Sequence, residues 1–229
     1  MKKFPAVVLA RMTSVRLPGK GLRQVAGRPL LAYLLDTLRQ SEAIGEVFLA
    51  TSDTASDFPL VDFAKESSVS VVQGPLEDVA TRFLMAVKRS GADAAFRVNG
   101  DSPFVPLELF SLAAERYRST QVDLVSNIFP RSFPVGQSVE LVSRKAIECV
   151  LSRPGIPSDR EHVTQYLYRN SAEFQIENIK SAVDYSAIRF AVDDGIDFAK
   201  VSRMLSVMTR PHWSYTVEEL VKLSHSCGQ

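Results

Sequence analysis

Cysteine and histidine are scarce in this sequence, which has two cysteines and three histidines among its 229 residues. Cys149 and Cys227 lie far apart, and neither belongs to a paired spacing or to a histidine cluster. A disulfide framework and a structural zinc site are therefore not expected. Cysteine usage of this kind is typical of a reduced protein, and it predicts a cytoplasmic location.

An excess of charge of one sign is also missing, because 27 basic residues are balanced by 26 acidic ones. Nucleic-acid-binding proteins generally carry a basic excess, so no nucleic-acid partner is expected. Long apolar runs are absent too: the first one, at residues 4–10, follows two lysines and ends before Arg11. It is too short for a signal peptide or a membrane span, which predicts a soluble protein without membrane insertion.

What the sequence does contain is a regular alternation of apolar and amphipathic segments. Apolar runs predict strands at 4–10, 46–51, 69–73, 93–98 and 122–127, and helical spacing predicts helices at 29–41, 57–67, 77–90 and 106–118. Strands that alternate with helices over short connections predict an α/β fold. We expect a three-layer, mostly parallel twisted sheet with helices on both faces.

The second half of the chain loses this rhythm. Residues 128–142 contain prolines and a glycine, and we expect them to form a small inserted arm with a short strand at 138–142. Helices are predicted at 143–152, 159–170, 194–207 and 216–225, and strands at 173–178 and 187–192. No internal repeat or linker interrupts the chain, which favours a single domain over residues 1–229.

The segment from Arg11 to Arg28 directly follows the first predicted strand and carries five basic residues and no acidic one. A polyphosphate needs closely approaching backbone N–H groups and fixed cations, and Arg16, Gly19 and Lys20 supply both, with Arg11 at the strand end. The P-loop and G-x-G-x-x-G patterns are absent. The alternative is a solvated basic loop, but the lack of acidic residues and the position favour a phosphate site.

Acidic residues follow two other predicted strands. Asp101 lies in the run Asn99-Gly100-Asp101-Ser102-Pro103, and Asp193 and Asp194 follow the strand at 187–192. Ligands of open parallel sheets bind beyond the carboxyl ends of the strands, where carboxylates can hold Mg²⁺. The alternatives are a plain turn at 99–103 and a helix N-cap, which is favoured for Asp194 more than for Asp193.

The run from Ser158 to Thr164 contains Arg160, Glu161 and His162. One interpretation is an N-capping start of a helix. The other is an anion site for the carboxylate or phosphate of a sugar. His162 has no second histidine or cysteine at metal-ligand spacing, so it is not assigned to a zinc site.

These motifs occur in a defined order along the chain. Ala10-Arg11-Met12-Thr13-Ser14-Val15-Arg16-Leu17-Pro18-Gly19-Lys20 precedes Ala26-Gly27-Arg28-Pro29-Leu30, then Ala50-Thr51-Ser52, Glu77-Asp78-Val79 with Arg82-Phe83, Arg97-Val98-Asn99-Gly100-Asp101, Asp159-Arg160-Glu161-His162 and Phe190-Ala191-Val192-Asp193. In this order they resemble the sugar cytidylyltransferases that act on 3-deoxy-manno-octulosonate and acylneuraminates, and most closely the spore-coat polysaccharide biosynthesis type. The resemblance covers nearly the whole chain.

The resemblance implies a nucleotide-diphospho-sugar transferase fold of the glycosyltransferase-A-like kind, and a reaction of CTP and a sugar that gives a CMP-sugar and pyrophosphate. It implies catalytic roles for Lys20, Arg11, Arg16 and Asp101, and Mg²⁺ binding by Asp101 and Asp193. The implied nucleotide-binding residues are Ala10, Arg11, Ser14, Gly19, Lys20, Asp78, Arg82, Asn99 and Gly100. The implied sugar-binding residues are Glu140, Arg160, Glu161 and His162.

The resemblance also suggests a homodimer in which the arm at 128–142 helps to complete the partner's sugar pocket. Two positions depart from the family pattern: the usual threonine after Ser14 is Val15, and the acidic residue of the arm motif Gly-x-Asp-x-Glu is Ser138. Two other functions therefore stay open. One is a nucleotidyltransferase of the same fold that uses another base or a sugar phosphate, and the other is a non-catalytic nucleotide-binding module.

Overall fold

A computed structural model describes residues 2–153 and 157–227 and has the expected α/β architecture. The strands are β1 (Phe4–Leu9), β2 (Gln24–Val25), β3 (Arg28–Pro29), β4 (Ile44–Ser52), β5 (Ser70–Gly74), β6 (Ala94–Asn99), β7 (Leu124–Ser126), β8 (Glu140–Ser143) and β9 (Ile176–Asn178). The helices are α1 (Leu30–Gln40), α2 (Phe58–Glu66), α3 (Val79–Ser90), α4 (Leu107–Thr120), α5 (Arg144–Ser152), α6 (Pro157–Glu161), α7 (Gln165–Arg169), α8 (Gly195–Val207) and α9 (Val217–Ser226).

Seven strands form one sheet in the order β5-β4-β1-β6-β8-β7-β9. The pairs β1–β4, β1–β6, β4–β5 and β7–β9 are parallel, whereas β8 runs antiparallel to both β6 and β7. The carboxyl ends of β1, β4 and β6 therefore meet at one edge of the sheet. This is the edge at which parallel α/β sheets bind ligands.

Each face of the sheet is covered by its own apolar cluster. On one face, α1, α4, α8 and α9 pack against alternate residues such as Phe96 and Val98. On the other face, α3 and α5 pack against Ala95 and Val142. The sequence dictates this sandwich because strand side chains alternate between faces and the helices carry apolar residues at helical spacing. No helix within the described ranges has the length and apolar character that a bilayer span requires.

Two predicted elements are wrong in form. The strand predicted at 187–192 is an extended segment that makes only an isolated bridge between Arg189 and Val135. The ladder goes no further because Gly136, with φ 97°, turns the chain away and the next N–H in line, that of Gln137, donates to the Pro134 carbonyl instead. The helix predicted at 159–170 is divided into α6 and α7 by a turn that buries the Val163 side chain in the core.

The arm at 128–142 folds back onto its own chain. Asn127 donates from Nδ2 to the Gln137 carbonyl at 2.7 Å and accepts from Val139 N–H at 2.8 Å. Phe133 and Val139 are buried in the protomer core, and Phe129 is the exposed apolar side chain of the arm, at 38%. Phe133 and Val139 therefore pack within one chain, which leaves Phe129 as the apolar side chain of the arm that could meet a second copy.

Candidate active site

A cavity of about 440 Å³ lies at the carboxyl ends of β1 and β6, on the face covered by α3. It is open to solvent and brings together residues from five separated stretches of the chain. The predicted site residues that line it are Ala10, Arg11, Ser14, Arg16, Lys20, Arg82, Asn99, Gly100, Asp101, Glu161, His162 and Asp193. The structure thus assembles most of the residues that the motifs singled out.

The centre of the cavity is an ion cluster formed by Lys20, Asp101 and Asp193. Lys20 Nζ lies 2.6 Å from Asp101 Oδ2 and 2.9 Å from Asp193 Oδ1, and Arg16 lies 3.2 Å from the other Asp193 oxygen. Burial opposes the charge on Lys20, but the two carboxylates outweigh it and raise its pKa above the ordinary value. Burial likewise opposes the charge on Asp193, yet Lys20 and the arginines Arg189 and Arg16 lower its pKa. Lys20 and Asp193 are therefore both charged near neutral pH.

The two carboxylates are placed by backbone contacts between distant segments. Gly100 N–H donates to the Leu9 carbonyl at 2.9 Å, and a Cβ at position 100 would lie 2.9 Å from that of Ala10. Val192 N–H donates to the Asp101 carbonyl at 3.0 Å, which sets Asp193 beside Asp101. Asp194 turns away and caps α8 by accepting from two backbone N–H groups, which confirms its predicted capping role.

Gly136 holds the segment before Asp193 from the opposite side. Its φ is 97°, and a Cβ placed there would lie 2.2 Å from the backbone nitrogen of Ala191. Both Phe190 N–H and Ala191 N–H donate to the Val135 carbonyl next to it, at 2.6 and 3.0 Å. The arm therefore positions Asp193, a role that the sequence motifs did not reveal.

The loop that carries Lys20 closes on itself. Gly19, with φ 66°, donates its N–H to the Met12 carbonyl at 2.8 Å, and Ser14 N–H donates to the same oxygen at 3.0 Å. The Gly19 N–H is consequently used within the loop and does not line the cavity. Its contribution is the left-handed turn that leads into Lys20, rather than the phosphate contact expected from the sequence.

Asp57 anchors the start of this loop and was not predicted as a site residue. It is fully buried and accepts hydrogen bonds from Met12 N–H at 2.7 Å, Thr51 Oγ1 at 2.9 Å, and the N–H and hydroxyl of Ser52 at 3.0 and 2.5 Å. Burial alone would raise the pKa of Asp57, but these hydrogen bonds outweigh it and lower the pKa. The buried carboxylate thus joins the loop to the end of β4.

The side of the cavity formed by α3 and α6 carries further cations. Arg11 Nη2 lies 3.1 Å from Glu161 Oε1. Arg82 is only 2% exposed, and its Nη1 donates to the carbonyls of Pro75 and Leu76 rather than to a carboxylate. Burial lowers the pKa of Arg82. A buried guanidinium that is held by neutral carbonyl groups gives this side a positive potential suited to an anion.

Besides Gly19, three predicted site residues within the described ranges lie outside the cavity lining. Asp78 caps α3 by accepting from Thr81 N–H at 2.8 Å and lies 3.5 Å from Arg160. Glu140 is fully buried in β8. Arg160 donates to the Leu151 carbonyl. The structure gives these side chains supporting positions, and Glu140 has no surface for a ligand.

Arg97 is a cavity residue that sequence reasoning missed. It lies on β6 two positions before Asn99, and both side chains line the cavity. Alternation along a strand places residues i and i+2 on the same face, so the quoted motif already contained the signal. Arg97 also forms an ion pair with Glu140, which only the three-dimensional structure reveals.

The cluster of carboxylates fits a magnesium ion that is shared with a phosphate ligand. No group of three or more possible metal-ligating side chains occurs within the described ranges. Mg²⁺ in nucleotide sites commonly takes one or two protein carboxylates together with phosphate oxygens and water. Asp101 and Asp193 already share one cation, the ammonium of Lys20, which shows that a single positive centre can contact both.

Comparisons with known proteins agree with this geometry. A family model described as cytidylyltransferase matches residues 6–205. The chain is 27% identical to the spore coat polysaccharide biosynthesis protein SpsF of Bacillus subtilis, over 86% of this chain and 84% of that protein. It is 29% identical to the 3-deoxy-manno-octulosonate cytidylyltransferase of Yersinia enterocolitica, over 71% and 67%.

A solved structure has the same fold over almost the whole chain. A cytidylyltransferase from Leptospira borgpetersenii superposes with a TM-score of 0.91, covering 98% of this chain and 95% of that one, at 24% identity. The expected nucleotidyltransferase-type fold is therefore confirmed.

Proposed function

Since the chain belongs to the cytidylyltransferase family and is a nucleotidyltransferase, we propose that it transfers CMP from CTP to a sugar hydroxyl and releases pyrophosphate. The observation that supports this most is the cavity in which the loop cations Arg16 and Lys20 meet Asp101 and Asp193. A triphosphate supplies the negative charge that this set of cations would bind.

In the proposed reaction the sugar oxygen bonds to the α-phosphorus, the bond from that phosphorus to the bridging oxygen of pyrophosphate breaks, and the hydroxyl proton passes to solvent. Arg11, Arg16 and Lys20 bind the triphosphate and stabilise charge on the leaving pyrophosphate. Ala10, Ser14, Arg82, Asn99 and Gly100 surround the nucleotide. The cavity contributes mainly orientation and charge neutralisation, since phosphoryl-type transfer asks for little covalent chemistry from the protein.

Asp101 and Asp193 would hold the proposed Mg²⁺. The ion, when bound, polarises the phosphate oxygens and neutralises their charge. Lys20 would then be released from its two carboxylates and become available to the phosphates of CTP.

We propose an acidic or otherwise modified sugar as the acceptor. Two relatives are named for spore coat polysaccharide biosynthesis and for 3-deoxy-manno-octulosonate, which supports a sugar destined for a surface polysaccharide or glycoconjugate. Glu161 and His162 line the cavity, Glu161 beside Arg11, and would contact this sugar.

Pyrophosphate release tests this proposal. The purified chain is incubated with Mg²⁺, each of the four ribonucleoside triphosphates in turn, and a panel of acidic, amino and phosphorylated sugars. Release that depends on CTP and on a sugar supports the proposal. Release from another nucleotide, or with a sugar phosphate only, favours a related nucleotidyltransferase. Tight Mg²⁺-dependent CTP binding without release across the panel favours a non-catalytic module.

We also propose that the chain forms a homodimer through the arm. Phe129 is exposed near the start of the arm and stacks on Tyr168, with ring centroids 5.0 Å apart, so it offers a rigid apolar contact. Light scattering should give twice the chain mass at micromolar concentration, and a monomer mass at all concentrations would overturn this point.

A further inference from the structure

We propose that Arg97 binds the carboxylate of the acceptor sugar and that buried Glu140 is the positioning residue that orients it. This inference rests on the proposed cytidylyl transfer and adds to it the residue that selects a carboxylate-bearing acceptor. Arg97 belongs to a strand whose end forms the cavity floor, and its guanidinium contacts Glu140 of the neighbouring strand β8.

The hydrogen bonding of Arg97 leaves one edge of its guanidinium available. Nη1 donates to Glu140 Oε2 at 2.6 Å. Nε is buried and has no hydrogen-bond partner among the described residues. A guanidinium presents Nε–H and Nη2–H in a fork that matches the two oxygens of a carboxylate. Nη2 also makes no hydrogen bond within the described residues, and 14% of the side chain stays exposed where it lines the cavity, so this edge is the one that a ligand would meet.

Glu140 contacts only the other edge of the guanidinium and accepts three hydrogen bonds in all. Its Oε2 accepts from Arg97, while Oε1 accepts from Thr164 Oγ1 at 2.6 Å and from Tyr168 Oη at 2.5 Å. The side chain is fully buried, so none of its oxygens faces the cavity. This network fixes the orientation of the Arg97 guanidinium on the side away from the cavity. Glu140, which was predicted to contact the sugar, would therefore act through Arg97.

The charge around this network is positive overall. Arg131 lies close enough to Glu140 to feel its charge, and its guanidinium donates to the Pro134 carbonyl and, at 3.1 Å, to Ser138 Oγ. Two guanidinium groups therefore share a single carboxylate, in a partly buried environment where charge is weakly screened. Ser138 stands where the spore-coat type of sequence commonly has an acidic residue, and this chain lacks the negative charge there.

The position of Arg97 points to the acceptor rather than to the triphosphate. The backbone of Arg97 lies between Val7 of β1 and Glu140 of β8, but its guanidinium contacts Glu140, on the side of β6 away from the strand that leads into the loop. Asn99 and Asp101 follow Arg97 on the chain and line the same cavity. An acceptor that extends from the α-phosphate toward β8 would bring its carboxylate to Arg97.

The test compares acceptor and nucleotide kinetics in Arg97→Lys. Lysine keeps the positive charge next to Glu140, so the fold should be retained. It cannot form the two-pronged contact with a carboxylate. We expect KM for 3-deoxy-manno-octulosonate or N-acetylneuraminate, whichever the wild type uses, to rise roughly 10- to 100-fold. KM for CTP, and CTP affinity measured by calorimetry, should change less than twofold. Arg89 lies on α3 and donates a hydrogen bond to the Val71 carbonyl outside the cavity. The control variant Arg89→Lys should therefore leave all these values unchanged.

A second pair of variants separates binding from folding. Arg97→Gln with Glu140→Gln removes both charges of the buried pair, and it should lose acceptor affinity while the melting temperature stays near that of Glu140→Gln alone. The methyl ester of the acidic sugar should bind wild type and Arg97→Lys equally.

Three results would overturn the inference. These are an unchanged acceptor KM in Arg97→Lys, a CTP KM that rises in parallel, or a wild type that accepts only neutral sugars. The last leaves cytidylyl transfer itself intact, whereas a wild type that binds no CTP refutes the proposed function first.

Discussion

The two sides of the cavity are built in different ways. The nucleotide side consists of the loop at 11–28 and the ends of β1 and β6, all in the first half of the chain. The acceptor side is supported by the arm, the turn between α6 and α7, and the extended segment before Asp193, none of which is a continuous strand or long helix. Parallel strands and the buried carboxylate of Asp57 position the first side, while the second depends on specific contacts between irregular segments.

The ion cluster joins these two sides, since Lys20 from the loop contacts Asp193, which is 173 residues away in the sequence. A metal–triphosphate site is therefore complete only when both sides are in place. Substitutions in the ion cluster should have the largest effects, followed by a substitution on the acceptor side and then by one at Asp57, which anchors the loop.

Loss of Lys20 should have the largest effect on activity. Lys20→Met removes the cation that we propose contacts the triphosphate, and Asp101→Asn removes a proposed metal ligand. Each should lower kcat for pyrophosphate release by roughly a thousandfold or more. Circular dichroism should show an unchanged fold, because both side chains are partly exposed at the cavity. Near-normal turnover in both variants would refute the assignment of the active site.

Metal binding without nucleotide sharpens this test. In the structure Lys20 pairs with both Asp101 and Asp193, and removal of its charge leaves Asp101 without a cation while Asp193 keeps Arg16 and Arg189, so a divalent cation can take the place of the ammonium. Mn²⁺ titration followed by electron paramagnetic resonance should therefore show tighter binding to Lys20→Met than to wild type, and weaker binding to Asp101→Asn. Weaker binding to Lys20→Met would contradict the idea that the ammonium and the metal compete for one position.

The contrast between the two sides also explains what the sequence could predict. The order of the regular elements, the basic loop and Asp101 follow from local periodicity and from the rule that ligands bind at strand ends. Asp57, Gly136 and the pairing of Arg97 with Glu140 could not be predicted, because their roles arise from contacts between segments distant in sequence. The resemblance predicted that Glu140 contacts the sugar. In the structure its carboxylate is buried and bonded to Arg97 instead, and no sequence motif encodes that burial.

Gly136→Ala should break the acceptor side. A Cβ at this position would meet the Ala191 backbone at 2.2 Å, and φ 97° is unfavourable for alanine, so a cost of about 3 kcal/mol or more in unfolding free energy is expected. Because the displaced segment leads to Asp193, kcat should also fall in the protein that remains folded. Chemical denaturation and single-temperature kinetics at about 15–20 °C measure the two effects; that range is near the temperature of maximum stability.

Gly27→Ala is the matched control for this substitution. Gly27 also has a positive φ, 75°, but no atom of the described residues lies within 4 Å of the point that a Cβ would occupy. It should cost only about 1 kcal/mol and leave kcat unchanged. Equal losses in the two variants would mean that backbone conformation alone, rather than the contact with Ala191, sets the requirement for glycine at 136.

Asp57→Asn tests the nucleotide side with a smaller effect. The amide cannot accept all four hydrogen bonds of the buried carboxylate without facing a donor, so we expect a loss of about 2 kcal/mol at pH 7. The folded-state pKa of Asp57 is lowered, so its contribution is present above the unfolded pKa of about 4 and is lost as pH falls through the folded value.

The stability gap between wild type and Asp57→Asn should therefore be widest at neutral pH and narrow below about pH 4. Urea unfolding at a series of pH values measures this gap, and groups common to both proteins cancel. Asp62→Asn, whose side chain is 70% exposed beside Lys65, should stay within about 0.5 kcal/mol of wild type throughout. A pH-independent gap for Asp57→Asn would show that shape, not charge, anchors the loop, and electrostatic anchoring would then be confined to the acceptor side, where Glu140 pairs with Arg97.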